Sequence, residues 1–223
     1  VLSGFKDIET SIDLIYGIMN QSLPSFRSDI ETFCLYEINH LSLYQLTIEP
    51  NTIFYKKELK IPDDSIIESM ESMACEILNK NNIYQYEVSS WSRDNRYSKH
   101  NMNYWMYGDY LGVGPGAHSK ITTEECIKRM VKLKKVNSYI EHPNKSSTTK
   151  IDSVSYDLDL AMNLLRVKNG ISFDELKNRN IHLTHSFKEK ILQGIDMGLL
   201  EKNTLKATSR GYKFLNDTVN IFS

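Results

Sequence analysis

Little in this 223-residue chain supports a disulfide framework, a cysteine-held metal centre or a membrane span. The three cysteines, Cys34, Cys75 and Cys126, are odd in number and far apart, which points to a reducing, cytoplasmic setting. No Cys-x-x-Cys or Cys-x-x-x-Cys-x-x-Cys occurs, so an iron–sulfur cluster or structural zinc of the usual spacing is not encoded. No run of roughly eighteen apolar residues exists, and no transmembrane helix is expected. The opening VLSGFKDIET lacks the basic start and apolar stretch of a signal peptide. Charge of one sign is also missing: 27 Lys and Arg face 28 Asp and Glu, a formal net charge of -1. That balance gives no general reason to expect nucleic acid or another polyanion as partner.

What is present suits a soluble globular protein, with 40% hydrophobic and 25% charged residues and enough length for one large or two small domains. Ser11 to Gly17 reads as a strand. Residues 24–38 read as a helix, with Phe26, Ile30, Phe33 and Cys34 at near-helical spacing. Leu41 to Glu49 is strand-like and stops at Pro50-Asn51. A helix is predicted over 64–79 from the stripe Ile66, Ile67, Met70, Met73, Ala74, Ile77 and Leu78, capped by Asp63 or Asp64. Ile83 to Val88 is another strand. Alternating strands and helices imply an α/β sheet with parallel neighbours. Too few such units precede residue 100 for a closed eight-stranded barrel, which needs about 200 residues.

Thr122-x-x-Glu125 resembles a capping box and predicts a helix to about Glu141, whose basic face is either solvated or turned to an anionic partner. The polar stretch 143–150 reads as a linker. Helices follow over 156–168, 172–177 and 186–197, then a hairpin near 198–208 and a last helix from about Ser209. That is the outline of a winged-helix domain. The candidate recognition helix carries only Lys188 and Lys190 as cations, so DNA binding is not expected.

Chemistry concentrates between Tyr97 and Ser119. His100 and Tyr104 are four apart, as are Asn101 and Trp105, and on a helix each pair shares a face. His100 reads either as an axial ligand for heme iron, with the aromatics covering a porphyrin face and Asn101 orienting the ring, or as a core histidine hydrogen-bonded to backbone. Gly112-x-Gly114-Pro115-Gly116 is not Gly-x-Gly-x-x-Gly, and Pro115 removes a donor, so a tight turn is the better reading than a phosphate cradle. His118 is a second candidate ligand. Asp13 lies among Ile12, Leu14 and Ile15, where a carboxylate needs a partner: either a ligand group or a loop amide. Glu49 and Glu87 also end strands, with no spacing that singles them out.

Together these segments are similar to the HemW family of heme chaperones, long labelled oxygen-independent coproporphyrinogen III oxidase-like, within the radical S-adenosylmethionine (SAM) superfamily. The resemblance rests on Ile12 to Gly17, His40 to Pro50, Gln85 to Ser89, the His100-Asn101-x-x-Tyr104-Trp105 element and Gly108 to His118, with Asn163 to Arg166 and Thr208 to Gly211 near the end. It implies part of a radical-SAM TIM-type α/β barrel over residues 1–142, then a mainly helical, winged-helix-like domain over 151–223. His-Asn-x-x-Tyr-Trp is the family's proposed heme-binding motif and maps onto His100, Asn101, Tyr104 and Trp105, with His100 as the iron ligand. The family's SAM-contacting aspartate falls on Asp13.

Two departures matter. The family's cluster-binding cysteines, glycine-rich SAM loop and first barrel strands have no counterpart here, and Ile18-Met19 stands where the family has Leu-Pro. SAM and a [4Fe–4S] cluster are expected of the family, but the cluster is expected to be absent and no radical chemistry is expected of this chain alone. The resemblance therefore implies an N-terminally truncated heme-binding protein that passes heme to an unidentified acceptor. The alternatives are the C-terminal half of a split enzyme completed in trans, or a gene fragment without function.

Overall fold

The computed structural model describes residues 9–50, 52–57 and 59–223. The first eight residues, and Asn51 of the strand stop, lie outside the described residues. The chain divides into two compact units, 1–98 and 99–223, a junction that precedes the 142/151 division expected from sequence.

The first unit runs β1 (Ser11–Tyr16), α1 (Leu23–Cys34), β2 (His40–Gln45), α2 (Ile53–Lys56), α3 (Asp64–Lys80), β3 (Tyr84–Glu87) and β4 (Ser90–Ser92). Its open sheet has the order β1-β2-β4-β3. Only β1 and β2 are parallel; β2–β4 and β3–β4 are antiparallel. The expectation of parallel neighbours throughout fails because β4, a Ser-Trp-Ser strand too short to show a period, follows β3 at once and inserts between β2 and β3.

Helix α1 opens where Ser22 Oγ accepts from the Ser25 amide, and it buries Phe26, Ile30 and Phe33 at one-turn intervals. It stops at Cys34 rather than Ile38, since the next residues, Leu35 and Tyr36, are exposed. Helix α3 buries Ile67, Met70, Ala74, Ile77 and Leu78 of its predicted stripe, while Met73 is half-buried and Ile66 exposed; Asp63 holds the cap position without a side-chain cap bond. These helices share a core with Leu41, Leu43, Ile83 and Trp91. Each such large apolar side chain contributes about 1.5–3 kcal/mol on burial.

The alternate residues of the strands make the other sheet face polar. Register aligns Ser11 with His40 and Ser92, and Asp13 with Ser42 and Ser90. His40, Ser42, Ser90, Ser92 and Glu87 are buried. His40 Nδ1 lies 2.7 Å from Ser11 Oγ and Nε2 lies 2.7 Å from Tyr86 Oη, which also accepts from the Ser98 amide at 3.2 Å. Each ring nitrogen of His40 thus has a hydroxyl partner, so a neutral ring is satisfied in either tautomer. Asp13 corrects an expectation: it is exposed rather than enclosed, because β1 is an edge strand whose outer residues Ser11, Asp13 and Ile15 face solvent.

The second unit runs α4 (Lys99–Trp105), β5 (His118–Thr122), β6 (Ile127–Lys132), α5 (Val136–Glu141), β7 (Ser146–Ile151), α6 (Ser153–Leu164), α7 (Phe173–Asn178), α8 (His185–Asp196), α9 (Ser209–Lys213) and α10 (Leu215–Asn220). Strands β5-β6-β7 form an antiparallel sheet. Two expectations are corrected here. The helix predicted over 122–141 is a β-hairpin followed by the short α5: Thr122 is held by Asp109, and Thr123 closes the turn by accepting the Cys126 amide. The linker predicted over 143–150 carries β7 instead.

Helices α6, α7 and α8 each begin at a side-chain cap, from Asp152, Ser172 and Thr184. They bury Leu160, Leu164, Leu176, Phe187 and Ile191 in one cluster. The bridge Leu200–Ala207 pairs the arms of the hairpin and Ile171–Leu205 joins the segment before α7 to it, so the winged-helix outline holds. Among the described residues no helix is long and apolar enough to cross a membrane.

Burial pushes the His40 pKa down, with Asp13 partly opposing it. Unfolded His40 takes up a proton near pH 6.5, whereas folded His40 resists. Stability is therefore fully present above about pH 6.5 and falls as pH drops toward the lower folded value. In a Trp105→Phe background, where Trp91 reports on the first unit, the urea midpoint should fall between pH 8 and pH 5.5. His40→Gln should flatten most of that change; equal pH dependence in both proteins would remove His40 as its source.

Candidate functional site

The candidate site is built on α4 and the loop after it. His100 is exposed at the start of α4, and the Tyr104 ring lies one turn on with centroids 4.8 Å apart, near perpendicular. Tyr110 continues the line, 4.4 Å from Tyr104. The i, i+4 spacing thus yields an aromatic ledge ending in an open imidazole. Exposure sets aside the reading of His100 as a core histidine. Asn101 is half-buried. Trp105 turns the other way: it packs on the second unit's core, with the Arg166 guanidinium 5.0 Å from its ring. Its indole N–H is buried and has no hydrogen-bond partner among the described residues.

The helix ends sharply. Gly108 donates to the Asn103 carbonyl at 2.8 Å, and Tyr107 sits at φ 58°, in the left-handed region. A non-glycine residue there costs about 1–2 kcal/mol, so surrounding contacts must hold it. The Tyr107 hydroxyl donates to Asp159 Oδ2 at 2.5 Å, and Arg129 Nη2 clamps both Asp159 oxygens at 2.7 and 3.0 Å. Burial, then the bond to Asp159, pushes the Tyr107 pKa far above the ordinary phenol range, so it remains a donor.

Lys120 completes the clamp. Its side chain is 2% exposed, and its ammonium lies 4.0 Å over the Tyr107 ring. It donates to the Tyr107 carbonyl at 2.9 Å, Asp109 Oδ1 at 3.0 Å and Thr122 Oγ1 at 3.2 Å, which uses all three protons. The Asp109 carboxylate also accepts from the Thr122 amide and hydroxyl at 2.7 and 2.8 Å. Partial burial works to raise the Asp109 pKa, but the bonds from Thr122 and Lys120 outweigh it and hold the carboxyl below its usual range.

The glycines serve the backbone turn. A Cβ at Gly112 would collide with the His118 carbonyl. The amides of Gly112, Gly114 and Gly116 are taken by Ser119 Oγ, Tyr139 Oη and the Leu133 carbonyl at 2.9, 3.1 and 2.9 Å. A phosphate cradle would need such donors free. His118 lies exposed at the start of β5, paired in register with Val131 rather than beside His100. Among the described residues, no group of three or more His, Cys, Asp or Glu could hold a metal ion. Asp13 belongs to the first unit. Sequence reasoning missed Lys120, Arg129 and Asp159, whose partners, Thr122 aside, lie 11 to 52 residues away; the acidic Gly108-Asp109-Tyr110 step was the only local hint.

No protein-family model matches the chain. Over 216 residues, 95% of the chain, it is 35% identical to the heme chaperone HemW of Buchnera aphidicola subsp. Acyrthosiphon pisum (strain APS). It is 28% identical over 215 residues to the heme chaperone HemW of Escherichia coli (strain K12). Each alignment covers 57% of the relative, so the chain spans little more than half the length of these curated proteins. Over 114 residues, 49% of the chain and 26% of the relative, it is 38% identical to the mitochondrial radical S-adenosyl methionine domain-containing protein 1 of Danio rerio. Among solved structures, coproporphyrinogen III oxidase (HemN) from Escherichia coli, a radical SAM enzyme, superposes with a TM-score of 0.75 at 14% identity. That match covers 99% of this chain and 56% of the other. At such identity the likeness is one of fold: part of a radical-SAM α/β barrel, its sheet open among the described residues, followed by the winged-helix-like helices.

Lys120→Met keeps the apolar stem but strands the Tyr107 carbonyl and Asp109. It should cost about 1.5–3 kcal/mol, the range for a charged hydrogen bond, read as a lower melting temperature of the second unit through Trp105 fluorescence in a Trp91→Phe background. An unchanged melting temperature would deny Lys120 this role. Because the folded Asp109 pKa is depressed, its contribution is present above the unfolded value near 3.9 and is lost as pH falls through the folded one. Asp109→Asn should therefore narrow its gap to the parent as pH drops below about 4; a gap independent of pH would contradict this.

Proposed function

We propose that this HemW-like chain binds heme on the exposed ledge of α4 and passes it to an acceptor protein. The observation that carries the reading is the open imidazole of His100, set edge-on to Tyr104 with Tyr110 behind it, on a helix whose end is clamped by Lys120 and Asp159. The donor set fits such a cargo: one imidazole suits an axial position on heme iron, and the adjoining rings suit a porphyrin face. The relatives named heme chaperone HemW support the same reading.

In this reading His100 ligates the iron and Tyr104 and Tyr110 lie against the macrocycle. Asn101 steadies the approach to His100. Trp105 acts from beneath, fixing α4 to the core rather than facing the cargo. None of these roles requires the cysteine-held cluster for which these residues lack the motif. Asp13 is proposed to contact SAM, as the resemblance implies; its carboxylate is exposed on β1. Any radical chemistry would require cysteine ligands that these 223 residues do not supply in the usual spacing.

Titrating hemin into the purified chain should shift the Soret band with saturation. His100→Ala should weaken binding at least tenfold, which is about 1.4 kcal/mol, and should change the spectrum of the complex. Tyr104→Ala should weaken binding less and leave the iron-ligand signature intact. Superimposable titrations and spectra for the parent and His100→Ala would overturn the ligand assignment.

A further inference from the structure

The formal net charge of -1 conceals two opposed halves. Residues 1–98 carry 8 Lys and Arg against 15 Asp and Glu, whereas residues 99–223 carry 19 against 13. Within the second unit lies an open groove of about 980 Å³, lined by α7, the 180–183 segment, α8 and Lys202. Its walls are apolar, formed chiefly by Ile181, Leu183, Ile191, Leu192 and Ile195. Every ionisable group lining it is basic: Lys177, Lys188, Lys202 and His182. Among the described residues none of these three lysines lies within ion-pair distance of a carboxylate. Leu192, 63% exposed, stands at the centre of α8.

We propose that this groove docks an acidic amphipathic helix of a partner protein. Apolar walls ringed by unpaired cations select an occupant that is apolar on one face and anionic on the other. The walls also carry the period of a helix partner. Lys188, Leu192 and Ile195 fall at i, i+4 and i+7 along α8, with the buried Ile191 at the floor between them, the one-face spacing that a second helix can meet. The volume lies at the top of the range for one small ligand, and an open trough with an exposed leucine suits a row of side chains from a helix better than one enclosed molecule. The inference stands on the groove and its charge, independently of heme binding at α4.

The test uses the full chain and a fluorescein-labelled synthetic helix of about sixteen residues, with leucines at i, i+3, i+4 and i+7 and glutamates on the opposite face. Fluorescence anisotropy should give saturable binding in the range of about 1–100 μM, weakening severalfold as salt rises toward about 0.5 M. Leu192→Asp, at an exposed position, should weaken binding at least tenfold, and Lys188→Glu with Lys202→Glu should do likewise, with circular dichroism unchanged in both. A scrambled peptide of the same composition should bind at least tenfold more weakly. Absence of binding, equal binding of the scrambled peptide, or indifference to Leu192→Asp would overturn the proposal. Binding to phosphatidylglycerol vesicles without peptide binding would overturn it in favour of a lipid surface. Self-association abolished by Leu192→Asp, without peptide binding, would overturn it in favour of a second copy of this chain.

Discussion

The candidate site depends on the buried ammonium of Lys120. A cation withdrawn from water costs several kcal/mol unless its protons are all used, and here they are, by the Tyr107 carbonyl, Asp109 and Thr122. The geometry ties three parts of the second unit together: the end of α4, the turn that carries Asp109, and strand β5. The Tyr107–Asp159–Arg129 chain adds α6 and β6. Helix α4 has only seven residues, far below the dozen or more at which an isolated helix becomes marginally stable in water. Its exposed face, with His100 and Tyr104, is therefore displayed by the surrounding fold rather than by helical propensity.

The sequence reading succeeded where one face of an element is buried and the other wet. Helix α3 shows this most clearly, since five of the seven residues of its stripe are buried, Met73 is half-buried and only Ile66 at its start is exposed. It failed on the sheet of the second unit for a specific reason. All six residues of β6 are half-buried, so the alternation that marks a strand is blurred, while Ile127, Met130 and Val131 fall by chance at i, i+3 and i+4. Strand β7 is largely exposed and polar, and only its adjacent threonines hint at extended backbone. The i, i+4 relation of His100 and Tyr104 was readable from local spacing. The clamp that fixes them was not, because Lys120, Arg129 and Asp159 meet through tertiary contacts with no local periodicity.

Charge was misleading for a related reason. Summed over the chain it argues against an anionic partner; summed over the two units it reverses. Net charge describes solubility and long-range attraction for a compact body, and this chain consists of two such bodies. Three of the second unit's lysines, Lys177, Lys188 and Lys202, line an apolar groove that no carboxylate lines. Averaging over 223 residues removes the feature that a partner would meet.

If heme binds at α4, the openness of that site has a consequence for transfer. Enclosed pockets cover most of a small ligand's surface, commonly 70–90% or more, and affinity differences among related sites are expressed mainly in how slowly the ligand leaves. A ledge with one imidazole and two tyrosine rings leaves the opposite porphyrin face accessible, so an acceptor can engage the cargo before His100 lets go. The exchange then needs no opening of the fold. The rigidity supplied by Lys120 becomes useful in that setting: a fixed ledge presents the cargo in one orientation, and the cost of ordering α4 is met during folding rather than at each encounter.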